Sequence, residues 1–362
     1  MKSACLIITD SAELFHGGSL PMINRIETAG YECTEIRVFR KDDEGFYLGV
    51  KSCLEWADNL FVVPCGYAAD TVADGLQRAL GGNFMRGSIG GAGMLEMGDK
   101  TLFLLPNQEE SYLREVCFPY LEKKHGRRIG SLVFRAVGAD KQKILQLVKK
   151  AEQYADGKAN IRREHAFGED VIRVFYDEST PRMLTDDLVR YFAEQLADNL
   201  YALEETTLEK QLVDLLKLRR KRLCVAESFT GGGIASKIVS ISGASEVYVE
   251  GLNTYADLSK MQRLGVAEFT LRSQGAVSEQ TAYEMAAGLL EQGNCDISIA
   301  TTGLAGPKGD GSGLPIGTCY IAVGVEQNVF VYQYHLEGDR DTITQTAIRY
   351  ALFLACKHLK NL

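Results

Sequence analysis

Short apolar runs alternate with stretches of helical period along most of the chain. Ala4–Thr9 reads as a first strand, Met22–Ala29 as a helix and Cys33–Phe39 as a second strand, with further apolar runs at Asn59–Cys65 and Thr101–Leu105. Strands separated by helix-like stretches are the signature of a parallel sheet with crossover helices, so an α/β domain is expected over residues 1–124. Beyond the polar turn Lys123–Arg128 the pattern becomes strand (Ser131–Val137), helix (Lys141–Tyr154), strand (Asp170–Tyr176) and helix (Asp186–Ala202), which predicts a small α+β module at 128–203. Glu204–Thr207 reads as a linker, and Thr207 opens an amphipathic helix with Leu208, Leu212, Leu215 and Leu216 on one side.

A third domain, again α/β, is expected over residues 205–362. It shows a strand from Leu223, a glycine-rich turn (Gly231, Gly232, Gly233) and a helical stretch Ile234–Ile241; later an apolar strand, Ile297–Ala300, runs into a second glycine loop. Gly317–Val325 and Val329–His335 read as a hairpin turning at Gln327-Asn328, and Asp341–Lys360 as a terminal helix. The fold class is thus a multi-domain α/β protein.

Composition supports that picture and narrows the chemistry. A chain of 362 residues exceeds one ordinary hydrophobic core, and 46% apolar with 24% charged residues is globular. The formal charge of −8 argues against a nucleic-acid-binding surface, and the basic run Lys217–Arg222 reads as the solvated end of a helix. Met1–Phe15 resembles a first strand and not a signal peptide, and no apolar run approaches the ~18 residues of a membrane span. Nine scattered cysteines without a C-x-x-C pair fit reduced thiols in a cytoplasmic protein, and neither they nor the five isolated histidines suggest a metal site.

Three clusters carry candidate chemistry. Strand, glycine turn and helix at Leu223–Ile241 place backbone N–H groups at a helix start, a place suited to an anion or an oxyanion. Ser228 at the mouth of that turn is either a nucleophile or a helix N-cap. In Gly251–Lys260, Tyr255 taken singly is a strand-end aromatic and Lys260 a solvated surface lysine. The third cluster, Thr301 to Pro307, is another glycine loop at a strand end, and two such loops suggest one shared cleft. Ser278 reads as the N-cap of a helix over Glu279–Gln292.

Taken together and in order, Ala226-Glu227-Ser228-x-Thr230-Gly231-Gly232, Tyr255 with Lys260, Gly275-Ala276-Val277-Ser278-Glu279, Thr302-Gly303-x-Ala305-Gly306-Pro307, Pro315-x-Gly317-Thr318 and Gly338-Asp339-Arg340 resemble the CinA carboxy-terminal domain. The resemblance implies a nicotinamide-nucleotide amidase that hydrolyses nicotinamide mononucleotide to the nicotinate form and ammonia, without metal or cofactor. It implies Ser228 as nucleophile and Lys260 as general base, a lysine whose pKa must fall well below its solution value. Backbone N–H groups around Thr230, Gly231 and Gly232 become oxyanion-hole candidates; Glu227, Tyr255, Thr302 and Gly303 would order the site, and Arg340 would meet the nucleotide phosphate. The competing reading is a catalytically silent nucleotide-binding or scaffold protein of the same type. A small-molecule nucleotide and a second copy in a homodimer are the expected partners, with neither membrane nor nucleic acid among them.

The chain departs from the family's pattern at Phe229, where a cysteine is usual, at Leu314, where a lysine usually precedes the proline, and at Thr344, where an arginine often follows. Loss of two cations predicts weaker phosphate binding or a changed nucleotide preference. The amino-terminal part resembles more faintly the molybdopterin-binding-like domain of full-length CinA proteins, through Leu104-Leu105-Pro106, Glu109 or Glu110, and Phe118-Pro119-Tyr120-Leu121. Its loop Pro64–Thr71 lacks most of the family's glycines and acids, and this domain is expected to have lost ADP-ribose hydrolysis.

Overall fold

The computed structural model describes residues 2–9, 20–40, 43–65, 69–81, 84–87, 91–106 and 110–360. Residues 10–15, Gly66–Ala68 and Glu109, which figure in the expectations above, lie outside the described residues. The chain falls into two compact units. One is Met1–Ser131 with Lys158–Asn160 and Phe175–Thr185, and the other is Leu132–Gly157, Ile161–Val174 and Asp186–Leu362.

The first unit runs β1 (Ser3–Thr9), α1 (Leu20–Thr28), β2 (Cys33–Arg40), α2 (Gly45–Trp56), β3 (Asn59–Pro64), α3 (Ala69–Leu80), β4 (Met85–Arg86), β5 (Gly93–Met97), β6 (Lys100–Leu104) and, after short helical turns, α4 (Phe118–His125). Its sheet order is β2-β1-β3-β6-β5-β4. β2, β1, β3 and β6 are parallel, as the alternating pattern predicts; every residue of the inner strands β1 and β3 is buried. β4 and β5 are antiparallel additions that the periodicity did not reveal. Gly98-Asp99 makes the tight turn that pairs Met97 with Lys100, with Gly98 in the left-handed region at φ +64°.

The module that follows is larger than the four predicted elements. It runs β7 (Gly130–Val137), α5 (Lys141–Ala155), β8 (Asn160–Ala166), β9 (Glu169–Tyr176), α6 (Arg182–Gln195) and β10 (Leu200–Ala202), with sheet order β10-β7-β9-β8. This is the split β-α-β-β-α-β arrangement. β8 reads Asn-Ile-Arg-Arg-Glu-His-Ala, an edge strand whose charged side chains mask its period. The expected helix over 186–202 is two elements, α6 beginning earlier after Pro181 and β10 closing the sheet.

The last sheet is built from α7 (Leu208–Arg219), β11 (Leu223–Glu227), α8 (Gly233–Val239), β12 (Tyr248–Asn253), α9 (Asp257–Leu264), α10 (Glu268–Ser273), α11 (Glu279–Glu291), β13 (Ile297–Gly303), β14 (Thr318–Val325), β15 (Asn328–His335) and α12 (Arg340–Lys360). The order is β12-β11-β13-β14-β15, with β12, β11 and β13 parallel and β14 and β15 antiparallel. Leu223, Val225, Ile297 and Ile299 face α7, α8 and α12 through Leu212, Leu216, Ile234, Ile238 and Leu352. Cys224, Ala226 and Ala300 face the other way, onto Ala282, Met285, Ala286 and Leu289 of α11. Two covered faces explain why β11 and β13 read as continuous apolar runs. The hairpin turn falls on Glu326-Gln327, one residue before the expected pair, because Val325 pairs with Asn328.

Several local expectations hold. Thr207 caps α7 by accepting from the Lys210 N–H, and Ser278 caps α11 by accepting from the Thr281 N–H. The basic run ends α7 and pairs outward, Lys217 with Glu246 at 2.8 Å and Lys221 with Glu326 at 3.6 Å. Eight of the nine cysteines are buried. No helix among the described residues is long and apolar enough to cross a membrane.

Candidate active site

β12, β11 and β13 end side by side. From β11 the chain turns back through α8 towards β12, and from β13 it turns the other way towards β14, so the loops after β11 and β13 part company. A crevice at the carboxyl ends of parallel strands, where successive connections diverge, is the usual ligand position in an open α/β sheet. Ser228 and the Thr301–Gly303 segment flank it: the Ser228 N–H donates to the Thr301 carbonyl at 3.1 Å.

The turn after Ser228 is shaped by two glycines in the left-handed region, Gly231 at φ +61° and Gly232 at φ +92°. Their N–H groups are already engaged. Gly231 donates to the Ser228 carbonyl at 3.1 Å and Gly232 to Glu227 Oε2 at 3.1 Å. The same Glu227 carboxylate accepts from Ile234 at 3.0 Å and from Ala235 at 2.9 Å. Glu227 is 1% exposed, so its charge serves the amino end of α8 and is not presented to a substrate. The oxyanion-hole donors expected at Gly231 and Gly232 are therefore occupied. Among the described residues, the N–H groups of Phe229 and Thr230 are the ones in this turn left without an acceptor.

The lysine is inside. Lys260 on α9 is 1% exposed, and its Nζ donates to the carbonyls of Thr254 at 3.0 Å and Tyr255 at 2.9 Å. Thr254 in turn donates its N–H to the Glu227 carbonyl at 2.8 Å. The amine thus sits on the segment hydrogen-bonded to the residue that precedes Ser228. Burial pushes the Lys260 ammonium below the ordinary lysine value, and Asp257, 3.8 Å away, opposes that fall. Among the described residues Ser228 Oγ and Lys260 Nζ form no hydrogen bond with one another, although Ser228 is itself only 8% exposed.

The other expected residues divide into presented and embedded. The Tyr255 ring is exposed. Arg340, the first residue of α12, is exposed and donates from Nη1 to the Gly306 carbonyl, which brings a guanidinium to the third cluster. Thr230 is buried, its hydroxyl 2.8 Å from that of Thr301. Thr302 is buried and donates to the Ala276 carbonyl at 2.6 Å, tying the loop before α11 to the end of β13. Gly303 is a packing position: a Cβ there would stand 2.5 Å from Cys319 Cβ and 3.0 Å from the Phe229 ring. Phe229, in place of the usual cysteine, belongs to the apolar cluster of Ala305, Cys319, Leu336, Ile343 and Ala347. Leu314 and Thr344 are half-buried, and nothing in the structure explains these two departures. Thr254 was not singled out by the sequence; a threonine at a strand end carries no signal by itself.

The more distinct concavities of the second unit lie elsewhere. One, of about 330 Å³, is lined by Ala151, Tyr154, Leu188 and Tyr191; another, of about 360 Å³, by Leu200, Tyr201, Phe353 and Lys357. Neither is lined by a residue of the three motif clusters, whereas the strand ends carry Ser228 and the buried amine of Lys260.

Comparison with known proteins agrees with the motifs. The family model described as the CinA C-terminal domain matches residues 205–359. A CinA-like protein of Kosmotoga olearia is 32% identical over 265 residues, which is 72% of this chain and 64% of that protein. A protein of Clostridium acetobutylicum with the provisional name competence-damage inducible protein is 30% identical over 277 residues, 74% of this chain and 67% of its own length. The crystal structure of a competence-damaged protein (CinA) superfamily protein from Escherichia coli shares 35% identity at a TM-score of 0.41, covering 44% of this chain and 96% of that one. The chain spans about two thirds of the length of the curated relatives it matches.

Proposed function

The chain belongs to the CinA family, and from that premise we propose that the crevice beside Ser228 and Lys260 hydrolyses the carboxamide of nicotinamide mononucleotide to the nicotinate nucleotide and ammonia. The observation that carries the proposal is a lysine 1% exposed whose amine is held by two backbone carbonyls. A buried lysine hydrogen-bonded to neutral carbonyls, with only the exposed Asp257 3.8 Å away to favour its charge, gives up its proton more readily than one on the surface. In the neutral form its two N–H groups stay on Thr254 and Tyr255, and its lone pair is left for the proton of Ser228.

Ser228 Oγ loses that proton and attacks the carboxamide carbon, with the oxyanion accepted by the N–H groups of Phe229 and Thr230. Lys260 returns the proton to the departing nitrogen, the C–N bond breaks, ammonia leaves, and water hydrolyses the acyl-serine. Tyr255 lies against the pyridine ring and Arg340 takes the phosphate; Glu227, Thr230, Thr302 and Gly303 hold the strand ends in register. The missing direct Ser228–Lys260 bond fits a pair that closes on substrate, since catalytic hydrogen bonds are often long without it.

The same missing bond is what favours the second reading, a catalytically silent nucleotide-binding or scaffold protein. Ammonia release from nicotinamide mononucleotide by the full chain and by Ser228→Ala separates the two. Turnover that the substitution abolishes supports the amidase; equal, near-zero rates support the scaffold. Size-exclusion chromatography tests the proposed homodimer. The Ser228→Ala chain incubated with ADP-ribose and a divalent metal tests the proposed loss of that activity from the first unit.

A further inference from the structure

Thr254 is tied to both halves of the proposed proton transfer. Its N–H donates to the Glu227 carbonyl next to Ser228, and its carbonyl accepts from Lys260 at 3.0 Å. Thr254 is 1% exposed, and its Oγ1 is buried with no hydrogen-bond partner among the described residues. An unsatisfied buried hydroxyl is costly, and a valine would fill the same branched shape without that cost. A hydroxyl that idles in the resting state makes sense where another protonation state supplies its partner.

We propose that Thr254 is a positioning residue for the base, its hydroxyl accepting the extra N–H that Lys260 gains when it takes the proton of Ser228. The inference rests on the Ser/Lys reading above. The count of donors leads to it. Neutral Lys260 has two N–H groups, both already held by the carbonyls of Thr254 and Tyr255. Proton transfer breaks the serine O–H bond and forms a third N–H, while Oγ bonds to the carboxamide carbon and becomes a poor acceptor. Thr254 Oγ1 belongs to the residue that already grips the amine. It holds the third N–H until that proton passes to the leaving nitrogen as the C–N bond breaks. In this role Thr254 acts through Lys260 and does not touch the substrate.

The nucleophile is read with and without nicotinamide mononucleotide. The full chain, Thr254→Val, Thr254→Ser and Ser228→Ala are reacted with phenylmethanesulfonyl fluoride, and the rate of sulfonylation at residue 228 is followed by mass spectrometry. The same proteins are assayed for kcat and KM on nicotinamide mononucleotide and for melting temperature. Thr254→Val is expected to melt no lower than the parent, to label about tenfold more slowly or worse, and to lose kcat with KM unchanged, while Thr254→Ser restores labelling and turnover. Labelling of Thr254→Val at the parent rate overturns the inference. A parent that is not labelled at Ser228 overturns it together with the Ser/Lys reading. A parent that labels at Ser228 but releases no ammonia sinks the substrate assignment alone, and the ratio of labelling rates still decides the role of Thr254.

Discussion

The second unit buries charge twice, and by opposite means. In the β7–β10 module arginines and carboxylates neutralise one another: Arg135 meets Glu169 at 2.9 Å, Arg173 meets Glu205 at 2.7 Å, and Arg349 of α12 joins Glu169 at 3.3 Å. At the strand ends Glu227 and Lys260 bond to the backbone instead, the carboxylate accepting from three N–H groups and the amine donating to two carbonyls. Mutual neutralisation fixes each charge, because every partner depends on the other staying ionised. Backbone-held charge has no such lock. Lys260 has only the exposed Asp257, 3.8 Å away, as a counterion, so it can lose its proton without leaving a buried charge unpaired.

Substitutions at the two places sharpen or break that contrast. The largest effect is expected at the reacting groups: Ser228→Ala and Lys260→Met lower ammonia release about a thousandfold or more while circular dichroism stays native. Retained turnover in either would remove the contrast at its root. Glu227→Gln comes next. Placing an amide NH₂ against N–H donors of α8 should cost about 3 kcal/mol in denaturant unfolding, and an unchanged midpoint would mean that this carboxylate is not holding the helix. Arg135→Met should cost less, about 2 kcal/mol, because Arg349 still faces Glu169 and Glu205 is half-exposed; its ammonia release should match the parent.

A smaller effect is expected from Asp257→Asn. Asp257 favours the charged amine, so removing its charge lets Lys260 lose its proton at lower pH, and the acid limb of the kcat/KM profile moves down. A limb that moves up, or stays, would separate that limb from Lys260. Least of all, Lys217→Ala on the exposed end of α7 should shift stability by about 0.5 kcal/mol or less, as a surface pair does.

Much of the architecture was legible because both kinds of period were strong. The buried strands β1, β3, β11 and β13 are apolar throughout, and the caps at Thr207 and Ser278 announce their helices. Edge strands were legible only in part: β2 and β15 were read from the pattern, β8 and β12 were not. β8 is mostly polar, and β12 exposes alternate residues through Val249, Gly251 and Asn253, so neither carries a continuous apolar signal. The site was legible as a set of motifs, not as chemistry. On α9 the chain turns Leu258 outwards, 57% exposed, and Lys260 inwards at 1%, the reverse of what hydropathy predicts. That inversion is imposed by two carbonyls at the end of β12, which no reading of one helix could supply. Glu227 likewise reads as a polar residue beside a glycine turn, and only the fold of α8 over the strand end gives it three donors.

That arrangement has a consequence for inhibitors. The amino end of a helix ordinarily offers a berth to a sulfate or a phosphoryl group, but here an internal carboxylate has taken it. A negatively charged warhead aimed at the α8 terminus would meet like charge, whereas a neutral electrophile reaching Ser228, with its acidic tail directed to Arg340, would follow the polarity this surface presents.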